Sequence, residues 1–189
     1  VMARIQLAAL LHFGYNGRHA DAVRQALRRG IPLTLRMQSI TGELPFGGRS
    51  NQFLYNEAAL AAYFEWSAAE LARTGDTVGA GACKAAAQLA VGEVERMLKR
   101  TVRTHVKNQY PPKSGIGCEK YAYFDKYMVT LASNLYLAYL FADDGIAPST
   151  APALQGGYAA VTSAYFHKVF LNRDGYFLEF DLNADPQYD

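Results

Sequence analysis

The sequence predicts a mainly helical fold that ends in β-structure. Between residues 3 and 142, apolar side chains recur every three to four positions in long segments, which is the period of a helix. After Pro148 and Pro152 the period changes, and apolar residues alternate with polar ones as they do in strands. Short turn sequences separate the long helical segments, which favours helical hairpins arranged as a bundle or as part of a ring.

Composition is that of a globular protein and excludes several function classes. The 189 residues are 50% apolar, so the chain can bury a sizeable core and would ordinarily form one domain. A formal net charge of +2 is too small to indicate a nucleic-acid partner, and a solvated helix face explains the charged run at residues 95–107. No apolar run is long enough to indicate a membrane partner. Cys83, Cys118 and four dispersed histidines predict neither a disulfide framework nor a metal site, and no cofactor is expected.

The first predicted helices are short. Apolar residues on more than one side predict a buried helix at residues 3–13. A second helix is expected from residue 20 to residue 29, with Gly30 as its stop. Pro32 suits the first turn of a third helix, which we expect to run to about Gln38.

Three longer helices are predicted at residues 51–73, 77–105 and 121–142. Thr74, Gly75 and Asp76 form a turn, so the first two of these helices should be antiparallel, and the alanine-rich first one should be the centre of the fold. The third carries a core stripe and a polar aromatic stripe, which consist of Phe124, Met128, Leu131 and Leu135, and of Tyr123, Tyr127, Thr130 and Asn134. We expect Asn134 to hydrogen-bond a loop backbone.

Residues 165–182 predict a β-hairpin that turns at Asn172, Arg173, Asp174 and Gly175. An isolated hairpin is marginal in water, and this one has more apolar surface than two strands can hide. We therefore expect it to begin a larger sheet, in a chain that is part of a longer polypeptide.

The most informative stretch is residues 41–57, TGELPFGGRSNQFLYNE. Its glycines and Pro45 oppose regular structure before Ser50, which is a good N-cap for a helix that opens at Asn51. Polar side chains then come at spacings of three and four, so they can share one helix face: Arg49, Gln52, Tyr55 and Asn56. Buried amides must be hydrogen-bonded. The stretch is therefore either a buried polar cluster, whose side chains all find hydrogen-bond partners within the protein, or the wall of a ligand cavity. Residues 107–119 repeat this loop chemistry before the helix at residue 121.

Two segments, GELPFGGRSNQFLYNEA at residues 42–58 and EKYAYFDKYMVTLASNLYLAYLFADD at residues 119–144, resemble the α/α-toroid polysaccharide lyases of the heparinase and alginate lyase type. In that superfamily a ring of helical hairpins precedes a β-sandwich domain. The resemblance implies a partial catalytic toroid at residues 1–157 and the beginning of a β-sandwich at residues 158–189. It also implies a secreted or periplasmic lyase that acts on an acidic polysaccharide, and a remaining chain or partner that completes the β domain.

The resemblance also implies roles for individual residues. Asn51 and Gln52 take the amide positions of the cleft, although many members have histidine where this chain has Gln52. Tyr110, Tyr121 or Tyr123 takes the position of the catalytic tyrosine. Further substrate contacts are expected from four residues: Arg49, Asn56, Glu57 and Tyr127.

The residue types suit β-elimination on a uronate. The proton at C5 becomes acidic enough to remove only when hydrogen bonds or positive charge neutralise the neighbouring carboxylate, a task for which Arg49, Asn51 and Gln52 are suitable. A tyrosine can then take that proton and return one to the leaving oxygen. Its reference pKa of about 10 requires cationic neighbours, for which the candidates are Lys113, Lys120 and Lys126.

Two alternatives stay open at the level of sequence. Glu57 and Asp125 could be the acid and base of a helical-toroid glycoside hydrolase, although a carboxylate in a first helical turn also suits the helix dipole. The chain could instead be a non-catalytic helical scaffold or glycan-binding module, whose polar residues only hold two loops together.

Overall fold

The computed structural model describes residues 1–45, 53–100, 106–107 and 126–183, with the exception of the Arg100 side chain. These ranges contain the helices α1 Met2–His12, α2 Ala20–Met37, α3 Tyr55–Arg73, α4 Thr77–Arg100, α5 Lys126–Phe141 and α6 Pro152–Gln155, and the strands β1 Tyr158–Val161, β2 Lys168–Arg173 and β3 Tyr176–Asp181. The prediction of a mainly helical chain that ends in β-structure is confirmed. The ring of helical hairpins stays a prediction.

Helix α3 is the centre of the fold. Every residue from Glu57 to Ala68 is buried, because α1, α2, α4 and α5 all contact this helix. Its alanines allow the neighbouring helices to approach closely, while Tyr63, Phe64 and Trp66 fill the larger spaces. A helix that is buried on all sides needs no polar face, which explains why the apolar pattern surrounds it.

Helix α2 corrects the sequence prediction of two short helices. It continues from Ala20 to Met37 through both Gly30 and Pro32. Leu27, Ile31 and Leu35 lie four residues apart and bury one continuous stripe, which stabilises the helix across the proline. A side chain at Gly30 would come within 3.1 Å of the Tyr63 hydroxyl, so the glycine permits close helix packing and is not a stop.

The boundaries near the predicted site also differ from expectation. Helix α3 begins at Tyr55, and the predicted start at Asn51 is wrong because Phe53 forms an antiparallel bridge with Val106. Helix α4 ends at Arg100, and the predicted extension through residues 101–105 lies outside the described residues. Helix α5 begins at Lys126, so the predicted helix at residues 121–125 cannot be compared.

The sheet has the order β1-β2-β3 with antiparallel pairing throughout. The predicted hairpin is confirmed, and Arg173 pairs with Tyr176 across its turn. Asp174 and Gly175 have φ values of 53° and 81°, which are typical of a two-residue hairpin turn. The sequence analysis missed α6 and β1, a single helical turn and a four-residue strand that follow the last long helix.

One face of the sheet packs on the helices and the other is exposed. On the covered face, Phe170 is fully buried beside Met37 of α2. The Lys168 ammonium lies 2.7 Å from both the Glu179 and the Asp181 carboxylates on that face. Exposed apolar side chains occupy the opposite face, including Val161, Leu171, Leu178 and Phe180. That the hairpin begins a larger sheet stays a prediction.

Candidate functional site

Three chain segments meet at the end of the helices where α3 begins. Phe53 pairs with Val106 in the bridge, and its ring centroid lies 4.4 Å from that of Tyr127 at the start of α5. Tyr55 stacks on both rings, at 5.3 Å from Phe53 and 5.9 Å from Tyr127. Asn134 of α5 adds a hydrogen bond between α5 and α3, since its side-chain amide donates to the Tyr55 carbonyl over 3.0 Å. The segments before α3, after α4 and at the start of α5 are therefore held together.

A buried carboxylate lies in the first turn of α3, at the same end of the helix. Glu57 has no exposed surface, and its Oε1 accepts hydrogen bonds from the Leu44 backbone N–H at 3.1 Å and the Lys107 ammonium at 3.0 Å. Its other oxygen, Oε2, is buried and accepts no hydrogen bond from the described residues. Burial raises the pKa of Glu57, and the opposing effect of the nearby Lys107 charge is smaller.

The loop that supplies the Leu44 amide rests on α4. Gly42 has φ +99°, and a side chain there would meet the Leu89 carbonyl oxygen at 2.3 Å, so only glycine fits this approach. Gln38 also fixes the loop, because its buried side-chain amide donates to the Ala86 carbonyl of α4 over 3.0 Å. The backbone N–H of Ser39 donates to the Glu43 carbonyl over 3.0 Å and closes the turn.

A groove of about 370 Å³ lies on the other side of this loop, between it and strand β3. Its lining includes the carboxylate-bearing residues Glu43 and Glu179 and the apolar residues Leu44 and Phe177. The carboxylates of both residues already have partners, since Glu179 pairs with the Lys168 ammonium at 2.7 Å and Glu43 accepts a hydrogen bond from the Thr41 hydroxyl at 2.9 Å.

The structure describes four of the residues named for the site, which are Asn56, Glu57, Lys126 and Tyr127. Asn56 and Tyr127 are half-buried, and the Lys126 ammonium lies 5.4 Å above the Tyr127 ring. Glu57, which was expected to contact substrate, has no surface that a substrate could reach in this structure. The other residues named for the site lie outside the described ranges: Arg49, Asn51, Gln52, Tyr110, Lys113, Lys120, Tyr121, Tyr123 and Asp125.

Lys107 is the residue that sequence reasoning misjudged. It was assigned to a solvated helix face, yet its side chain is only 9% exposed and pairs with Glu57. Its partner is 50 residues away in the chain, so no local spacing could reveal the pair. For Glu57 the contacts support a buried polar cluster and not the wall of a ligand cavity, since the Lys107 ammonium and the Leu44 backbone N–H both donate to its carboxylate.

Comparisons with protein-family models, curated proteins and solved structures found no match to this chain. Among the described residues, no three histidine, cysteine or acidic side chains come together as a metal site would require. No helix in the described ranges is both long enough and apolar enough to cross a membrane.

Proposed function

We propose that this chain carries the catalytic residues of a polysaccharide lyase that cleaves a uronate-containing polymer by β-elimination. Asn51, Gln52 and Arg49 neutralise the uronate carboxylate, and one of Tyr110, Tyr121 and Tyr123 removes the C5 proton. The proposal rests on the resemblance of the two segments at residues 42–58 and 119–144 and on the chemical suitability of these residues.

The observation that carries the proposal is the contact between Phe53 and Tyr127, whose ring centroids are 4.4 Å apart. Gln52 is bonded directly to Phe53, and Tyr123 precedes Tyr127 by four residues, which is at most about 14 Å of extended chain. Gln52 and Tyr123 are therefore each joined by a short length of chain to one of two rings that contact each other. A shared site requires this, because the carboxylate and the C5 proton belong to one sugar ring.

In this mechanism, charge grows on the uronate carboxylate as the C5 proton leaves. Amide and guanidinium donors stabilise that charge more strongly in the transition state than in the ground state, so they raise turnover. The tyrosine hydroxyl must be ionised to act as a base, and the ammonium groups of Lys113, Lys120 and Lys126 are the candidates that lower its pKa. The same tyrosine can then protonate the leaving oxygen.

The burial of Glu57 does not favour the glycoside hydrolase alternative. A hydrolase acid must reach the glycosidic oxygen and its base must reach a water molecule, whereas Glu57 has no exposed surface and pairs with Lys107. Its raised pKa follows from burial and needs no catalytic role.

Product absorbance tests the proposal. Elimination creates a double bond conjugated to the carboxylate, and this product absorbs in the near ultraviolet. The protein is incubated with polymers of different uronates and linkages, and we expect absorbance to rise with at least one of them. Binding to such a polymer without any rise in absorbance would overturn the lyase proposal and support the glycan-binding alternative.

Two kinds of variant then assign the roles. Asn51→Ala should lower kcat by about a hundredfold, because one donor to the developing charge is lost. Phenylalanine is substituted singly for Tyr110, Tyr121 and Tyr123, and one of these variants should be nearly inactive while its melting curve stays that of the wild type. Near-normal turnover in all three would exclude a tyrosine base among them.

A further inference from the structure

Glu57 and Lys107 join two chain segments that flank the proposed site. The carboxylate lies in the first turn of α3, the ammonium lies in the segment after α4, and the Leu44 amide belongs to the loop before α3. Because Glu57 Oε1 accepts from both donors, a displacement of either segment weakens the contact with the other. We refer to Glu57, Lys107 and the Leu44 N–H together as the carboxylate clasp.

We propose that Glu57 is a positioning residue, which through the carboxylate clasp fixes the two segments that flank the proposed site relative to each other. This inference rests on the proposed function for its catalytic consequence. It changes the role expected for Glu57 from substrate contact to support of the residues that make such contacts.

The burial of the clasp favours this role over a general contribution to stability. A buried ion pair contributes little net stability, because the loss of hydration offsets the attraction between its charges. A buried pair between two chain segments instead selects one arrangement, since an arrangement that separates Glu57 from Lys107 leaves the buried Glu57 carboxylate without this ion pair. Glu57 is fully buried and the Lys107 side chain is 9% exposed, so water cannot readily replace either partner.

Helix α3 offers a matched control two turns further on. Glu65 pairs with Lys84 of α4 at 2.9 Å, and both side chains are nearly buried. Burial raises the pKa of Glu65 as it does for Glu57. The two pairs share their chemistry, but the Glu65 pair joins two helices along their length, whereas the Glu57 pair joins a helix to the segments beside the proposed site.

The experiment compares Lys107→Met with Lys84→Met. Amide hydrogen exchange at Leu44 is measured, together with kcat and KM on the uronate polymer that the wild type cleaves. Lys107→Met leaves Glu57 in place. We still expect the Leu44 amide hydrogen to exchange about tenfold faster, because the loss of one donor to Glu57 Oε1 weakens the hydrogen bond from the other. We expect kcat to fall about tenfold to a hundredfold with little change in KM, since a misplaced site loses rate more than affinity. Lys84→Met should change neither the exchange nor kcat.

The double variant Glu57→Gln/Lys107→Met separates positioning from stability, because it leaves neither charge buried alone. It should keep the low kcat of Lys107→Met at temperatures where melting curves show it to be folded. Unchanged Leu44 exchange in Lys107→Met, or an equal change in Lys84→Met, would refute the clasp. If the wild type cleaves no uronate polymer, the lyase proposal fails. The amide exchange at Leu44 then tests by itself whether the carboxylate clasp holds the two segments.

Discussion

Replacing Gly42 by alanine should destabilise the protein more than replacing Gly75, although both glycines have positive φ values. These values are +99° for Gly42 and +86° for Gly75, so an alanine at either position introduces a backbone strain of about 1–2 kcal/mol. At Gly75 the new methyl group would meet nothing within 4 Å. At Gly42 it would lie 2.3 Å from the Leu89 carbonyl oxygen, a backbone atom of α4 that cannot easily move.

Gly42→Ala should lower the free energy of unfolding further, because the close contact with Leu89 forces the loop to move. The loop must shift by about 1 Å to reach an ordinary contact distance, and this shift weakens the hydrogen bond from the Leu44 amide to Glu57. A buried polar group that loses its hydrogen bond costs about 1–3 kcal/mol. We therefore expect a total loss in the free energy of unfolding of about 2–5 kcal/mol for Gly42→Ala, against about 1–2 kcal/mol for Gly75→Ala.

Urea unfolding of the two variants and the wild type measures the difference. Both variants should keep the wild-type m-value, so that a shift in the midpoint reports stability alone. Gly42→Ala should unfold at a clearly lower urea concentration than Gly75→Ala. Equal midpoints for the two variants would mean that the loop does not rest on α4 at this position, and the arrangement derived for the Leu44 amide would be wrong.

Three further predictions concern the buried polar groups. Burial raises the pKa of the Cys83 thiol to about 12, so in a Cys118→Ser variant a thiol reagent should react only after denaturant is added. Glu65 has a raised pKa in the folded state, so folding favours its protonated form and its contribution to stability is lost as pH rises from below 4.5 through the raised value. The wild type should accordingly lose stability relative to Glu65→Gln as the pH rises above 4.5, and a constant difference would contradict this. Asn134→Ala should lower the free energy of unfolding in urea by about 1–2 kcal/mol, because it removes a partly buried hydrogen bond to α3, and no loss would refute that contact.

The sequence predicted those turns and helices whose conformation depends on residues close together in the chain. The turn at Asp174 and Gly175 was predictable because these residues adopt the positive φ values that a tight hairpin requires. Helix α3 was predictable as the centre because its apolar residues surround the helix. The stop predicted at Gly30 was wrong because the reason for that glycine is its approach to Tyr63, which is distant in the sequence.

The site was harder to predict because its determining contacts join distant parts of the chain. Glu57 looked like a first-turn carboxylate that suits the helix dipole, and Lys107 looked like part of a charged helix face. Only the fold brings them within 3.0 Å of each other and away from water. The contact of Phe53 with Tyr127 has the same character, since 74 positions separate the two rings in the sequence.

The formation of an unsaturated uronate product tests the central claim most directly. The protein is incubated with uronate polymers, and near-ultraviolet absorbance is followed beside a binding assay on the same polymers. We expect absorbance to rise with at least one polymer and to be nearly lost in one of the variants Tyr110→Phe, Tyr121→Phe and Tyr123→Phe. Polymer binding with no absorbance change, or full activity in all three variants, would contradict a tyrosine-dependent lyase at this end of the helices.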